Sequence, residues 1–96
     1  MSLNLQLKRQ TLSSASAYTA LEFDYKASRW LVKNLGSSDI YVKFNNDSTD
    51  TNDIKIPSMK GQVCTCPVYP IVSIKDYGAT DTIYIKGVGE VEVQQL

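Results

Sequence analysis

The chain has 96 residues, 43% of them hydrophobic, and its ten Lys and Arg balance ten Asp and Glu. That length bounds a single domain, residues 1–96, with one modest core. A formal charge of zero argues against nucleic acid as the main ligand. The absence of histidine excludes histidine triads, histidine general bases and histidine-ligated metals.

Leu3, Leu5 and Leu7 alternate with Asn4, Gln6 and Lys8, so a first strand is expected over residues 3–11. No charged segment followed by an apolar one opens the chain, so no secretory leader is expected. No apolar run nears the ~20 residues of a spanning helix, and no membrane association is expected. Residues 13–17, Ser-Ser-Ala-Ser-Ala, have no period and are predicted as a linker. Leu21, Phe23 and Tyr25 alternate with Glu22 and Asp24 in a second strand. A third covers residues 29–35, with Trp30, Val32 and Asn34 on one face and Leu31, Lys33 and Leu35 on the other. Residues 36–39 supply turn chemistry, and residues 40–45 alternate again, so 29–35 and 40–45 are predicted to pair as a hairpin.

Residues 45–53 are wholly polar and read as an exposed loop. Ile54 and Ile56 make a short strand that Pro57 ends. Further strands are expected over residues 62–68, bordered by Pro67 and Pro70, and over residues 71–76. The last third is the most regular. Ile83 and Ile85 oppose Tyr84 and Lys86, and Val91 and Val93 oppose Glu90 and Glu92. Gly87-Val88-Gly89 between them is predicted as a tight turn. About nine short strands with turns between them predict an all-β protein, an antiparallel jelly-roll-like sandwich.

The chemistry on offer is sparse. Cys64 and Cys66 lie two apart, on one face of a strand. A zinc ion would need two further ligands that the chain lacks, so they are expected as reduced, apolar core residues. Glu22/Asp24 and Glu90/Glu92 are same-face carboxylate pairs whose ~6.5–7 Å spacing overlaps glycosidase distances. The solvated face of an amphipathic strand explains them more simply, and no enzymatic activity, cofactor or metal is expected. Asn45, Asn46, Asp47, Asp50, Asn52 and Asp53 form an oxygen-rich loop that could meet a ligand or partner. It lacks the glycine and distal glutamate of a calcium-binding hand. Tyr41, Tyr69, Tyr77 and Tyr84 are candidates for an interface, with Tyr41 and Tyr84 out of phase with the apolar faces of their strands.

Four segments together carry a resemblance: Trp30-Leu31-Val32-Lys33-Asn34-Leu35, Asp39-Ile40-Tyr41-Val42-Lys43-Phe44, Ile54-Lys55-Ile56-Pro57, and the closing Ile83 to Gln94 run with Gly87-Val88-Gly89-Glu90-Val91-Glu92-Val93-Gln94. Residues 29–94 resemble small proteins encoded in the structural-gene regions of tailed bacteriophages and prophages of low-GC Gram-positive bacteria. The strand at 3–11 and the linker at 13–17 lie outside that likeness. The resemblance implies a virion-associated structural or decoration protein, assembled in the host cytoplasm, that self-associates as a homo-oligomer and docks on other virion proteins. The closing strands are also faintly similar to those of a cupin barrel, whose metal chemistry has no histidines here. The alternative is a carbohydrate-binding module for host-surface glycan, using exposed tyrosines and the Asn/Asp loop.

Overall fold

The computed structural model describes residues 6–44, 53–66 and 79–96. Six strands lie there: β1 (Leu7–Ala27), β2 (Arg29–Asn34), β3 (Ile40–Lys43), β4 (Ile54–Ile56), β5 (Gly61–Thr65) and β6 (Thr80–Gln95). All pair antiparallel, in one sheet nearly closed into a barrel. The strand expected at 71–76, both bordering prolines, Tyr69, Tyr77 and most of the Asn/Asp loop lie outside the described residues.

β6 organises the sheet. One edge pairs with β1 along nearly its whole length, from Leu7 opposite Gln94 to Ala27 opposite Thr80. The other edge is shared. β2 takes the C-terminal part, Trp30 opposite Gln95 to Asn34 opposite Val91. β3 takes the N-terminal part, Tyr41 opposite Lys86 to Lys43 opposite Tyr84. β5 adds to β2, and β4 adds to β3.

The expected hairpin between residues 29–35 and 40–45 is therefore not formed. β2 and β3 run in line along β6, interrupted at residues 35–39. β4 and β5 likewise run in line, interrupted at residues 57–60, where Lys60 N–H donates to the Pro57 carbonyl and Met59 has a φ of 62°. The register of β1 against β6 shifts between Ser14 and Thr19. Gly87 and Gly89 lie at the same level of β6 with φ of 150° and 118°. These four irregularities form a crease across four long ribbons, and the sheet folds along it.

Two sequence expectations fail here for one reason. Gly87-Val88-Gly89 is not a turn but a bend inside a 16-residue strand. Residues 13–17 are not a linker but the bend of a 21-residue strand. Period-two alternation is interrupted identically by a turn and by a bend, so the separate strands expected on either side are arms of one. Small side chains suit the bend in β1, where Ser14 Oγ accepts a hydrogen bond from Ala17 N–H.

The inner face of the nearly closed sheet encloses one core: Leu12, Trp30, Val32, Cys64, Val91 and Val93 lie to one side of the crease and Leu21, Phe23, Ile40, Val42, Ile56, Ile83 and Ile85 to the other, all buried. Trp30 is fully buried, with Phe23 at 4.8 Å edge-on and Phe44 at 6.4 Å between ring centroids. Its indole N–H donates to the Ala27 carbonyl at 3.2 Å, so the ring brings no unpaired donor into the core. Alternation predicts these inner residues well, Asn34 included, whereas Leu7 points outward and is 53% exposed.

Closure is incomplete. On one side β4 touches β5. On the other, the two arms of β1 face each other across a seam held by side chains. Gln6 Oε1 accepts from Asp24 N–H at 2.8 Å, Gln6 Nε2 donates to Asp24 Oδ2 at 3.0 Å, and Lys8 Nζ donates to the Glu22 carbonyl. Buried Gln95 ties both arms, donating to the Tyr25 carbonyl at 2.6 Å and accepting from Gln6 N–H at 3.2 Å. Side chains thus occupy edge groups that would otherwise recruit another strand.

Candidate functional site

The outer face of the β1–β6–β3–β4 half carries an alternating lattice of tyrosine and lysine. In register, Tyr41 of β3 lies between Lys86 of β6 and Lys55 of β4, and Lys43 lies opposite Tyr84. The bend in β1 brings Tyr18 to the same face. Lys86 Nζ sits between two rings, 5.0 Å from the Tyr18 centroid and 5.2 Å from the Tyr41 centroid. Lys43 Nζ is also 5.0 Å from the Tyr18 ring. Ring quadrupoles attract these ammonium groups and hold flexible side chains in place. Tyr18 hydroxyl donates to Asp53 Oδ2 at 3.3 Å, and Lys55 pairs with Asp39 at 3.4 Å.

Of the interface tyrosines read from sequence, Tyr41 and Tyr84 share this face and are half-buried; Tyr69 and Tyr77 lie outside the described residues. Of the loop candidates, only Asp53 is described, and it meets Tyr18; Asn45, Asn46, Asp47, Asp50 and Asn52 lie outside. Sequence reading missed Tyr18, Lys43 and Lys86. The signal was present for the lysines, which share a strand face with Tyr41 and Tyr84 at a spacing of two. Tyr18 had none, because its position depends on the β1 bend.

The other half has a different outer face. A row of directly opposed residues, Leu7, Gln94, Leu31 and Val63, crosses β1, β6, β2 and β5. Leu7 is 53% exposed and Val63 47%, and Leu31 between them is half-buried. The next row is ionic. Glu92 lies between Arg9 and Lys33, with contacts of 2.7 Å and 3.4 Å, and its side chain is 12% exposed. The Arg9 hydrogen bond, aided by Lys33, holds the Glu92 carboxyl below the usual glutamate range against the opposing effect of desolvation.

The carboxylate pairs do not come together as an acid and a base. Glu92 is committed to two cations, whereas Glu90 is exposed. Glu22 and Asp24 lie on one wall of an open groove of about 480 Å³ along the β1 seam, beside Lys8 and Gln10. Both come from a single strand, so neither faces the other across the groove.

Cys64 and Cys66 are buried thiols, as the alternation predicts, and neither forms a disulfide. Burial pushes Cys64 up to about 11 and raises Cys66 as well. A thiol so shifted is a poor nucleophile and a poor metal ligand. Among the described residues, no group of three or more His, Cys, Asp or Glu is placed to hold a metal. Among them, too, no helix is long and apolar enough to cross a membrane.

No family model matches the chain, and no curated protein or solved structure matches it either.

Proposed function

We propose that this chain is a non-enzymatic structural protein of a tailed-phage or prophage virion, a jelly-roll module that self-associates and docks on other virion proteins. The observation that carries the reading is the outer row Leu7, Leu31 and Val63 beside Arg9, Glu92 and Lys33. An apolar strip flanked by ordered charges is the composition of a protein interface: the strip gains by losing water, and the charges set register. A second copy of the chain is the partner, since the row spans four ribbons and presents both signs of charge to its own image.

Pairing order supports the finer architecture. With β1 and β6 each divided at the crease, eight arms result. The first arm of β1, the second of β6, β2 and β5 make one set. The second arm of β1, the first of β6, β3 and β4 make the other. This is how a long antiparallel hairpin wraps into a jelly roll, an architecture used by viral coats and by lectins. The step from architecture to virion rests on analogy and on the likeness of residues 29–94 to phage structural proteins.

The test is sedimentation of the wild-type chain and of Leu7→Lys/Val63→Lys. Both positions are exposed, so the variant keeps its fold, checked by circular dichroism. The expected result is an oligomer for the wild type and a lower mass for the variant. An unchanged mass with an unchanged fold removes this face as the interface.

A further inference from the structure

We infer that the seam between the two arms of β1 takes an extended strand, residues 2–5 of a second copy of the chain, added edge to edge. The inference rests on the self-association reading and adds to it a contact separate from the outer apolar row.

Among the described residues β1 pairs only with β6, so its far edge carries peptide groups outside any ladder on both arms. Gln95 N–H donates to the Gln6 carbonyl, which turns the main chain of Gln6 toward β6. By alternation the main chain of Leu7, Arg9 and Thr11 turns toward the seam. On the other arm, Asp24 N–H and the Glu22 carbonyl point into the seam, and Ala20 follows in phase. The arms run antiparallel to each other: Gln6 meets Asp24, Lys8 meets Glu22, and Gln10 and Ala20 are next in order. They stand wider apart than the ~4.8 Å of laddered strands, because side chains rather than main-chain bonds bridge them.

The bridges show what fits the gap. The Gln95 carboxamide bonds the main chain of both arms, donating to the Tyr25 carbonyl at 2.6 Å and accepting from Gln6 N–H at 3.2 Å. A carboxamide is chemically a peptide group, so at this end the seam already holds one in the place of an interposed strand. Toward the crease the filling stops. Lys8 Nζ reaches the Glu22 carbonyl, but Gln10 turns to the Thr11 carbonyl of its own strand at 3.5 Å. The open groove remains there, with Leu21 and Phe23 along it. A strand laid in it displaces Lys8 from Glu22 and from the Phe23 ring, and supplies main-chain partners to both edges.

Residues 2–5, Ser-Leu-Asn-Leu, lie outside the described residues and suit the groove by composition. They carry no charge, so neither Lys8 nor Glu22 and Asp24 repels them. Alternation turns Leu3 and Leu5 together toward Leu21 and Phe23, with Ser2 and Asn4 toward solvent. The donor is another copy, because Gln95 fixes Gln6 at the filled end of its own seam and a reversal directly before it uses at least about two residues. Donor segment and seam are different surfaces, so the contact is head-to-tail and builds a ring or a filament.

The test uses the full chain carrying Leu3→Asp/Leu5→Asp, which keeps the seam and removes the donor; Leu3→Ser/Leu5→Ser replaces it if circular dichroism shows the first variant unfolded. The probe is a synthetic peptide of residues 1–7, followed by amide NMR. The expected result is saturable shifts at Gln10, Ala20, Glu22 and Asp24. The same peptide with both leucines changed to aspartate should bind at least about tenfold more weakly, the least expected from losing a buried leucine. The variant should also sediment at a lower mass than the wild type. No binding, equal binding of the two peptides, shifts confined to another face, or a variant of unchanged mass overturns the inference. Peptide binding by a chain whose wild type is monomeric at every concentration overturns the second copy as donor. Failure of the outer row alone reads differently: the peptide still binds here, and Leu7→Lys/Val63→Lys leaves the mass unchanged.

Discussion

Gly36 and Gly89 meet backbone to backbone at the crease. A β-carbon built on Gly89 would lie 3.1 Å from Gly36 Cα, and one on Gly36 would lie 3.2 Å from Gly89 Cα. The segment joining β2 to β3 thus lies directly on the bend of β6, and Leu35 N–H donates to the Glu90 carbonyl at 2.9 Å beside it. Gly89→Ala places a side chain at a φ of 118° and against main chain that has nowhere to move. The expected cost is about 2–3 kcal/mol of folding stability, read from denaturant midpoints. Gly87→Ala should behave similarly, because its β-carbon would lie 2.8 Å from Ile40 Cγ2 at a φ of 150°. Wild-type midpoints for both variants would contradict the crease.

Asn34 ties the crease from inside. Its amide donates to the carbonyls of Ser38 at 2.8 Å and Ile56 at 3.1 Å, and its oxygen accepts from Gly36 N–H at 3.0 Å. It is 1% exposed, so no water replaces these bonds. Asn34→Ala leaves several polar groups short of a partner and should cost about 2–3 kcal/mol. Asn34→Leu, which restores volume but no hydrogen bond, should rescue little. Full rescue by leucine would mean that packing rather than hydrogen bonding makes the residue matter.

These two sites show where the sequence was readable. Inner and outer faces followed from alternation, which correctly placed Trp30, Val32 and Asn34 together and set Tyr41 apart from Val42. Alternation reports only which face a residue takes, not which strand lies beside it. The predicted hairpin of residues 29–35 and 40–45 therefore failed, since β6 lies beside both. Gly87 and Gly89 signalled a change of backbone direction, but positive φ serves a bend as well as a turn. The tyrosine–lysine lattice was half legible: Tyr41 and Lys43, like Tyr84 and Lys86, share a face at a spacing of two. Their meeting with Tyr18 depends on the β1 bend, which no local pattern encodes. Leu7 shows the same limit: alternation separates it from Gln6 and Lys8 without saying which face is the inner one, and Leu7 takes the outer face.

The ion row predicts an acid response. The Glu92 carboxyl is depressed in the folded chain, first by Arg9 and also by Lys33. A depressed folded value stabilises the protein above the unfolded value of about 4.3, and the contribution is lost as pH falls through the lower folded value. Denaturant midpoints measured from pH 7 down to pH 2 should fall less steeply for Glu92→Gln than for the wild type. Parallel curves would mean that Glu92 gains nothing from its neighbours.

The core thiols predict slow chemistry. Burial pushes Cys64 up to about 11, so at pH 8 only about one molecule in a thousand carries the thiolate there. Iodoacetamide at pH 8 should leave Cys64 unmodified in the native protein and alkylate it quickly in denaturant. Rapid native labelling at Cys64, located by peptide mass, would show that the β5 edge opens readily.

The most direct test of the assembly reading is absolute mass by light scattering on a sizing column over a wide range of concentrations. The account predicts a defined oligomer whose mass falls in Leu7→Lys/Val63→Lys. A strict monomer at every concentration would contradict it.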